Sequence, residues 1–286
     1  MFFKERSWWR RALAASLLCA PGCILPAFCL GAANVVMLVG MRQLYQLLNL
    51  QEITIQQFTQ GSAQGCWSIL AAFLLMSFGL AAWLMRLTAF ARAWLARGDD
   101  FQKARLSSSF AEVKEKKWYF CKLWSIASLY LLVPLFPFSL LSTIKVISSP
   151  GYALGGAPDI SISGGSLVAV NVVLLLIAAL MVSYSLVVLV FSAGRLASPG
   201  QTAWSAVKEM LKRPLPVLLA GVLVMVVDGL VCAPQSVLSS GSVEEMVKLN
   251  IFEVAAWQLW FIVSSSIVWP WSIIVFCDLV GSQGRD

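Results

Sequence analysis

Apolar residues fall into six long blocks separated by shorter polar stretches. The blocks run approximately from Leu17 to Val39, Cys66 to Met85, Trp118 to Ile144, Leu167 to Phe191, Leu215 to Ser236 and Val254 to Leu279. A bilayer core needs roughly 20 apolar helical residues at about 1.5 Å each, and backbone groups in lipid must bond within their own segment. Each block reaches that length. The pattern therefore predicts an all-α fold, a polytopic transmembrane helical bundle of about six spans forming one integral membrane domain over 1–286. Composition agrees: 59% hydrophobic residues, 12% charged residues and a mean hydropathy of +0.80 exclude an ordinary soluble domain.

The net charge of +7 would suggest nucleic acid in a soluble chain. Here the basic residues sit between the apolar blocks, where they act as orientation signals, so no nucleic-acid partner is expected. With the N-terminus in the cytoplasm, the inner segments hold Lys4 to Arg11, Arg86 to Lys117, Arg195 to Arg213 and Arg285, while Arg42, Lys145 and Lys248 fall outside. Lys122 lies one turn into the third span and can snorkel to the interface. The expected location is a bacterial cytoplasmic (inner) membrane, crossed several times, with both termini cytoplasmic. Ala20-Pro21-Gly22-Cys23 faintly resembles a lipoprotein cleavage box, but the apolar run continues well past Cys23, which favours a retained span.

The seven cysteines lie in or beside the spans without CxxC spacing, and the chain has no His. Packing is the default role for these thiols. Without His, haem ligation, His-ligated zinc chemistry and Ser-His-Asp hydrolysis are poor readings. No cofactor, no metal and no catalytic residue is predicted, and the chain does not read as an enzyme.

The dipeptide Lys-Glu occurs at Lys4-Glu5, Lys114-Glu115 and Lys208-Glu209, each time before an odd-numbered span. Phe110 to Glu115 aligns with Trp204 to Glu209, sharing Val-Lys-Glu, and Arg86-Leu87 matches Arg195-Leu196. This suggests a threefold repeat of a cytoplasmic amphipathic helix plus a helical hairpin, over 1–97, 98–197 and 198–286. Interfacial preference for Lys, Glu and Trp would produce the same pattern without duplication.

The connecting segments themselves read as helices. Gly98 and Asp99 or Asp100 supply end signals before Phe101 to Lys117, and Ser198-Pro199 starts the second. Phe101, Phe110, Trp204 and Val207 are expected to turn inward, with Lys114 and Lys208 outward. Phe101, Phe110, Lys114, Trp204 and Lys208 thus form a candidate interfacial surface, for which anionic lipid headgroups at the cytoplasmic face are the expected partners and membrane proteins a second class. Gln43 to Gly65, rich in Gln, reads as a segment on the outer interface, and Ser148 to Ser166 as a Gly/Pro/Ser loop. Trp67, Trp257 and Trp260 fit an outer aromatic belt; Trp8, Trp9, Trp83 and Trp118 fit an inner one.

Within the bilayer Asp228 stands out, because it follows five apolar residues some 13 positions into its span. Placing an Asp at a helix centre costs roughly 2.5 to 3.5 kcal/mol on translocon scales, so it calls for a polar neighbour. Gln235, Asn171, Tyr184, Gln258 and Ser265 are the candidate partners. Pro21, Pro26, Pro134, Pro137, Pro216 and Pro270 are candidate kinks.

The segments Phe110 to Trp118 and Trp204 to Arg213, each followed by two spans, resemble the multispan membrane domain of some bacterial glycerophosphodiester phosphodiesterases and its stand-alone relatives. The phosphodiesterase domain itself has no counterpart here, so the resemblance carries no catalytic residue. It implies a non-catalytic accessory or membrane-homeostasis role through binding lipid or partner proteins. A small-solute or ion permease built on Asp228 is the alternative.

Overall fold

The computed structural model describes residues 6–48, 55–96, 103–147, 164–194, 198–231 and 251–281. Among these are eight helices and no strand: α1 (Arg6–Leu48), α2 (Ile55–Leu95), α3 (Lys103–Glu115), α4 (Lys117–Ile147), α5 (Gly164–Gly194), α6 (Pro199–Lys212), α7 (Pro214–Val231) and α8 (Ile251–Gly281). Six of them are long and apolar enough to cross a membrane, namely α1, α2, α4, α5, α7 and α8. The fold is the all-α bundle that the apolar blocks predict.

Two segments differ from their expected form. Of Gln43 to Gly65, the described residues continue the two long helices, α1 as far as Leu48 and α2 from Ile55. With 43 and 41 residues, these helices are each about 60 Å long, roughly twice the hydrocarbon thickness, so their ends run on past the span. The Gly/Pro/Ser segment also ends earlier than its composition suggests, since α5 starts at Gly164. Gly98, Asp99, Asp100 and Phe101 lie outside the described residues.

The prolines do not end the helices. α1 runs through Pro21 and Pro26, α4 through Pro134 and Pro137, and α8 through Pro270. Pro216 is no kink at all: it is the third residue of α7, in a first turn whose N–H groups have no intrahelical partner. α6 passes almost directly into α7, with the Arg213 N–H bonded to the Glu209 carbonyl at 3.2 Å.

Small residues set the closest helix contacts. A Cβ on Gly79 of α2 would stand 3.1 Å from the Pro26 carbonyl oxygen of α1. On α7, a Cβ on Gly221 would run into the Ser183 hydroxyl and stand 2.7 Å from the Ala179 carbonyl oxygen of α5. The Ser183 hydroxyl itself donates to the Val217 carbonyl at 3.1 Å, which bonds α5 to α7.

The densest core lies where the start of α1 meets the ends of α2, α5 and α8, and includes Trp8, Phe90, Trp94, Leu123, Leu189 and Phe276. Toward the opposite end Trp67, Phe136 and Phe252 are 69%, 75% and 78% exposed, surface suited to lipid. Other buried hydroxyls in the spans bond back to their own helices: Ser16 donates to Ala12, Thr88 to Leu84, Ser266 to Ile262 and Ser272 to Val268, at 2.6 to 2.8 Å.

Candidate functional site

α3 and α6 are built into the closed end of the bundle. Arg92 of α2 donates to Glu112 of α3 at 2.6 Å and reaches the Ala193 carbonyl near the end of α5 at 3.4 Å. Lys116 also meets Glu112, at 3.4 Å. One turn and a half earlier on α2, the Arg86 guanidinium lies 3.5 Å from the centroid of the Phe110 ring. Phe110 is therefore half-buried and packed on the core, and Val113 is fully covered. Lys114 remains exposed. Arg195, matched to Arg86 in the sequence, lies outside the described residues.

α6 presents a different inner face from the one its large residues suggest. Its buried residues are Thr202, Ala203 and Ala206, which permit close approach to α4 and α5, with Val207 partly covered. The Tyr119 hydroxyl of α4 and the Thr202 hydroxyl share a hydrogen bond of 3.0 Å. Trp204 is not turned into the bundle: nearly half its surface is exposed, and its ring stacks on Tyr130 of α4 with centroids 6.4 Å apart. Lys208 stands 5.7 Å from the Trp204 ring, and Lys117 stands 6.0 Å from the ring of the exposed Trp118. Cations and indoles thus alternate around this end.

The described candidates among the intramembrane polar residues lie on three helices, α5, α7 and α8. Asp228 is half-buried near the end of α7, and Asn171 is exposed on α5. Tyr184 is buried beside Tyr130, with ring centroids 6.4 Å apart. Gln258 is buried against α1, its Oε1 atom 3.3 Å from where a Cβ of Gly31 would stand. Ser265 is buried and turned back to its own helix, 3.5 Å from the Ile262 carbonyl. Gln235 lies outside the described residues. Among the described residues, the Tyr184 hydroxyl and Gln258 Oε1 have no hydrogen-bond partner.

One site went unseen in the sequence. Asp278, near the end of α8, accepts from the Trp8 indole of α1 at 2.7 Å and from the Trp94 indole of α2 at 3.1 Å. Trp8 and Trp83, expected in the inner belt, are instead inside the bundle at 4% and 8% exposure. Trp9 and Trp118 do reach the surface, and Trp9 stacks on Trp271 with centroids 6.0 Å apart. The available signal was position: an acid at the end of the last apolar block, on the same side as an indole before the first and one after the second.

Among the described residues no group of three or more His, Cys, Asp or Glu side chains converges on a point. Cys19 and Cys23, both buried, face each other across one turn of α1 with sulfurs 3.7 Å apart. Comparison of the chain with protein-family models, curated proteins and solved structures gives no match.

Proposed function

We propose that this chain is a multi-pass protein of the cytoplasmic (inner) membrane of a bacterium, with both termini in the cytoplasm. Its role is non-catalytic: a membrane-homeostasis or accessory factor that engages anionic lipid headgroups through a collar at its cytoplasmic end. The observation carrying this reading is the pairing of exposed cations with exposed indoles on α4 and α6, Lys117 with Trp118 and Lys208 with Trp204. Indoles favour the headgroup level, and each Lys or Arg near an anionic leaflet contributes about 1 kcal/mol of attraction. Because α3 is fastened to α2 through Arg92 and Glu112, Lys114 joins the collar on a fixed support rather than on a solvated linker.

The test is retention of lipid. The protein is purified in mild detergent, and its co-purifying phospholipids are compared with those of the source membrane. Enrichment of anionic over zwitterionic lipid, lost when Lys114, Lys117, Lys122, Lys208 and Lys212 are changed together to Gln, is the expected result. A retained pool identical in composition to the bulk membrane would refute the collar.

A further inference from the structure

The wall made by α4, α5 and α6 carries three aromatic rings whose exposure falls stepwise into the bundle. Trp204 is 46% exposed, Tyr130 37% and Tyr184 6%. Tyr130 stands between the other two, stacked on Trp204 with 29° between the ring planes and tilted by 52° to Tyr184. The Tyr119–Thr202 hydrogen bond and the small buried face of α6 hold Trp204 in that position.

A cation marks the outer end of this series and an unsatisfied hydroxyl the inner end. Lys208 lies by the Trp204 ring, and among the described residues no carboxylate stands within ion-pair distance of it. Neighbouring Glu209 is instead turned to Lys212 and Arg213, at 3.8 Å from each. On α4, exposed Lys122 sits two turns before Tyr130 at i, i+8, where its stem leans toward the cytoplasmic end. Inward, the Tyr184 oxygen is buried without a hydrogen-bond partner among the described residues. Buried hydroxyls are seldom left unbonded, and hydrocarbon offers no acceptor; lipid phosphate and ester oxygens do.

We propose that this wall is a discrete site for one anionic phospholipid, its phosphate at Lys208 beside the Trp204–Tyr130 stack and an ester oxygen accepting from the Tyr184 hydroxyl once the side chains that cover it are displaced by the lipid. The acyl chains then run along the exposed ridge of Leu129, Val133, Phe136 and Leu140 on α4. This inference rests on the collar reading and adds to it a stoichiometry, a position and a contact below the headgroup.

Native mass spectrometry of the full chain in mild detergent, titrated with phosphatidylglycerol or phosphatidylcholine, tests it. One phosphatidylglycerol should bind ahead of all others. Lys208→Gln should weaken that first event about fivefold and erase its preference over phosphatidylcholine, a loss on the scale of one charge-assisted contact. Tyr184→Phe should weaken the first binding of both lipids about threefold, since an ester contact does not depend on the headgroup. It should also shrink the upward shift in unfolding temperature caused by phosphatidylglycerol while leaving the lipid-free temperature unchanged, which a purely structural hydroxyl would not do. Arg11→Gln, an exposed cation of α1 outside the collar, should leave the first event intact. Equal losses for Lys114→Gln and Lys208→Gln, with Tyr184→Phe silent, would overturn the discrete site and leave the collar standing. No phosphatidylglycerol preference in the unmodified chain would overturn both. Glycerol phosphate competing as strongly as the lipid would assign Lys208 to a soluble anion and overturn the lipid site.

Discussion

The Trp8 indole donates to the Asp278 carboxylate at 2.7 Å, joining residues 270 positions apart and bringing the first and last helices to the same end of the bundle. The second carboxylate oxygen takes the Trp94 indole of α2, so three helices meet on one acid. Hydrogen bonds to a charged acceptor are stronger than neutral ones, and two nearly buried indoles lose their acceptor together if the acid is removed. Asp278→Ala should therefore destabilise the bundle by about 2 to 4 kcal/mol, and Asp278→Asn, which keeps one acceptor, by about half of that. Denaturant unfolding in detergent micelles measures both. Trp8→Phe combined with Asp278→Ala should cost less than the two single changes added together, because they remove one shared interaction.

The same contact shows where the sequence stops informing. The spans are legible because hydropathy acts locally over some tens of residues, and even α6 is announced by Ser198-Pro199 at its start. Whether an interfacial residue faces lipid or a neighbouring helix depends on partners that are distant in the chain. Trp8 and Trp118 occupy similar positions beside their spans, yet one is buried on Asp278 and the other is 72% exposed. Trp204 misleads for a related reason. Its near-helical spacing with Val207 predicts an inward face, but α6 packs through Thr202, Ala203 and Ala206, which leaves the indole at the rim. Asp228 is half-buried near the end of α7, while the candidate partners Tyr184 and Gln258 have neighbours on α4 and α1.

Gly221 should be intolerant of any side chain. Added at this position, a Cβ would meet the Ser183 hydroxyl and stand 2.7 Å from a backbone carbonyl of α5, which cannot rotate away. Gly221→Ala should lower stability by about 1 to 3 kcal/mol by prising α5 from α7. Gly229→Ala on the same helix meets nothing within 4 Å and should be neutral or slightly stabilising. Equal effects of the two changes would show that the α5–α7 contact is looser than its geometry.

The orientation proposed for the chain is tested by labelling. In a chain with Cys66 and Cys121 replaced by Ser, a cysteine at exposed Gln56, at the start of α2, should react with a membrane-impermeant maleimide in intact cells. One at exposed Gln201 on α6 should react only after lysis. The expectation follows from the concentration of Lys and Arg in the segments that include α3 and α6. The opposite result would place the Lys–Trp collar outside and remove the anionic inner leaflet as its partner.

Asp228 separates a binding protein from a permease. It is half-buried near the end of α7, a position at which a carboxyl can be kept for its hydrogen bonds alone. In that case Asp228→Asn retains acceptor capacity and should change stability by less than about 0.5 kcal/mol, whereas Asp228→Leu should loosen the bundle by about 1 kcal/mol. A carboxyl that carries a proton or pairs a moving cation behaves otherwise: Asn would leave the fold intact and abolish flux. The collar reading expects no proton or cation flux dependent on Asp228 when the protein is reconstituted in proteoliposomes bearing a pH or potassium gradient. Flux that is present in the unmodified chain and absent in Asp228→Asn, at equal stability, would overturn the non-catalytic reading in favour of transport. The lipid site on α4, α5 and α6 would survive that outcome, because none of its named residues belongs to α7.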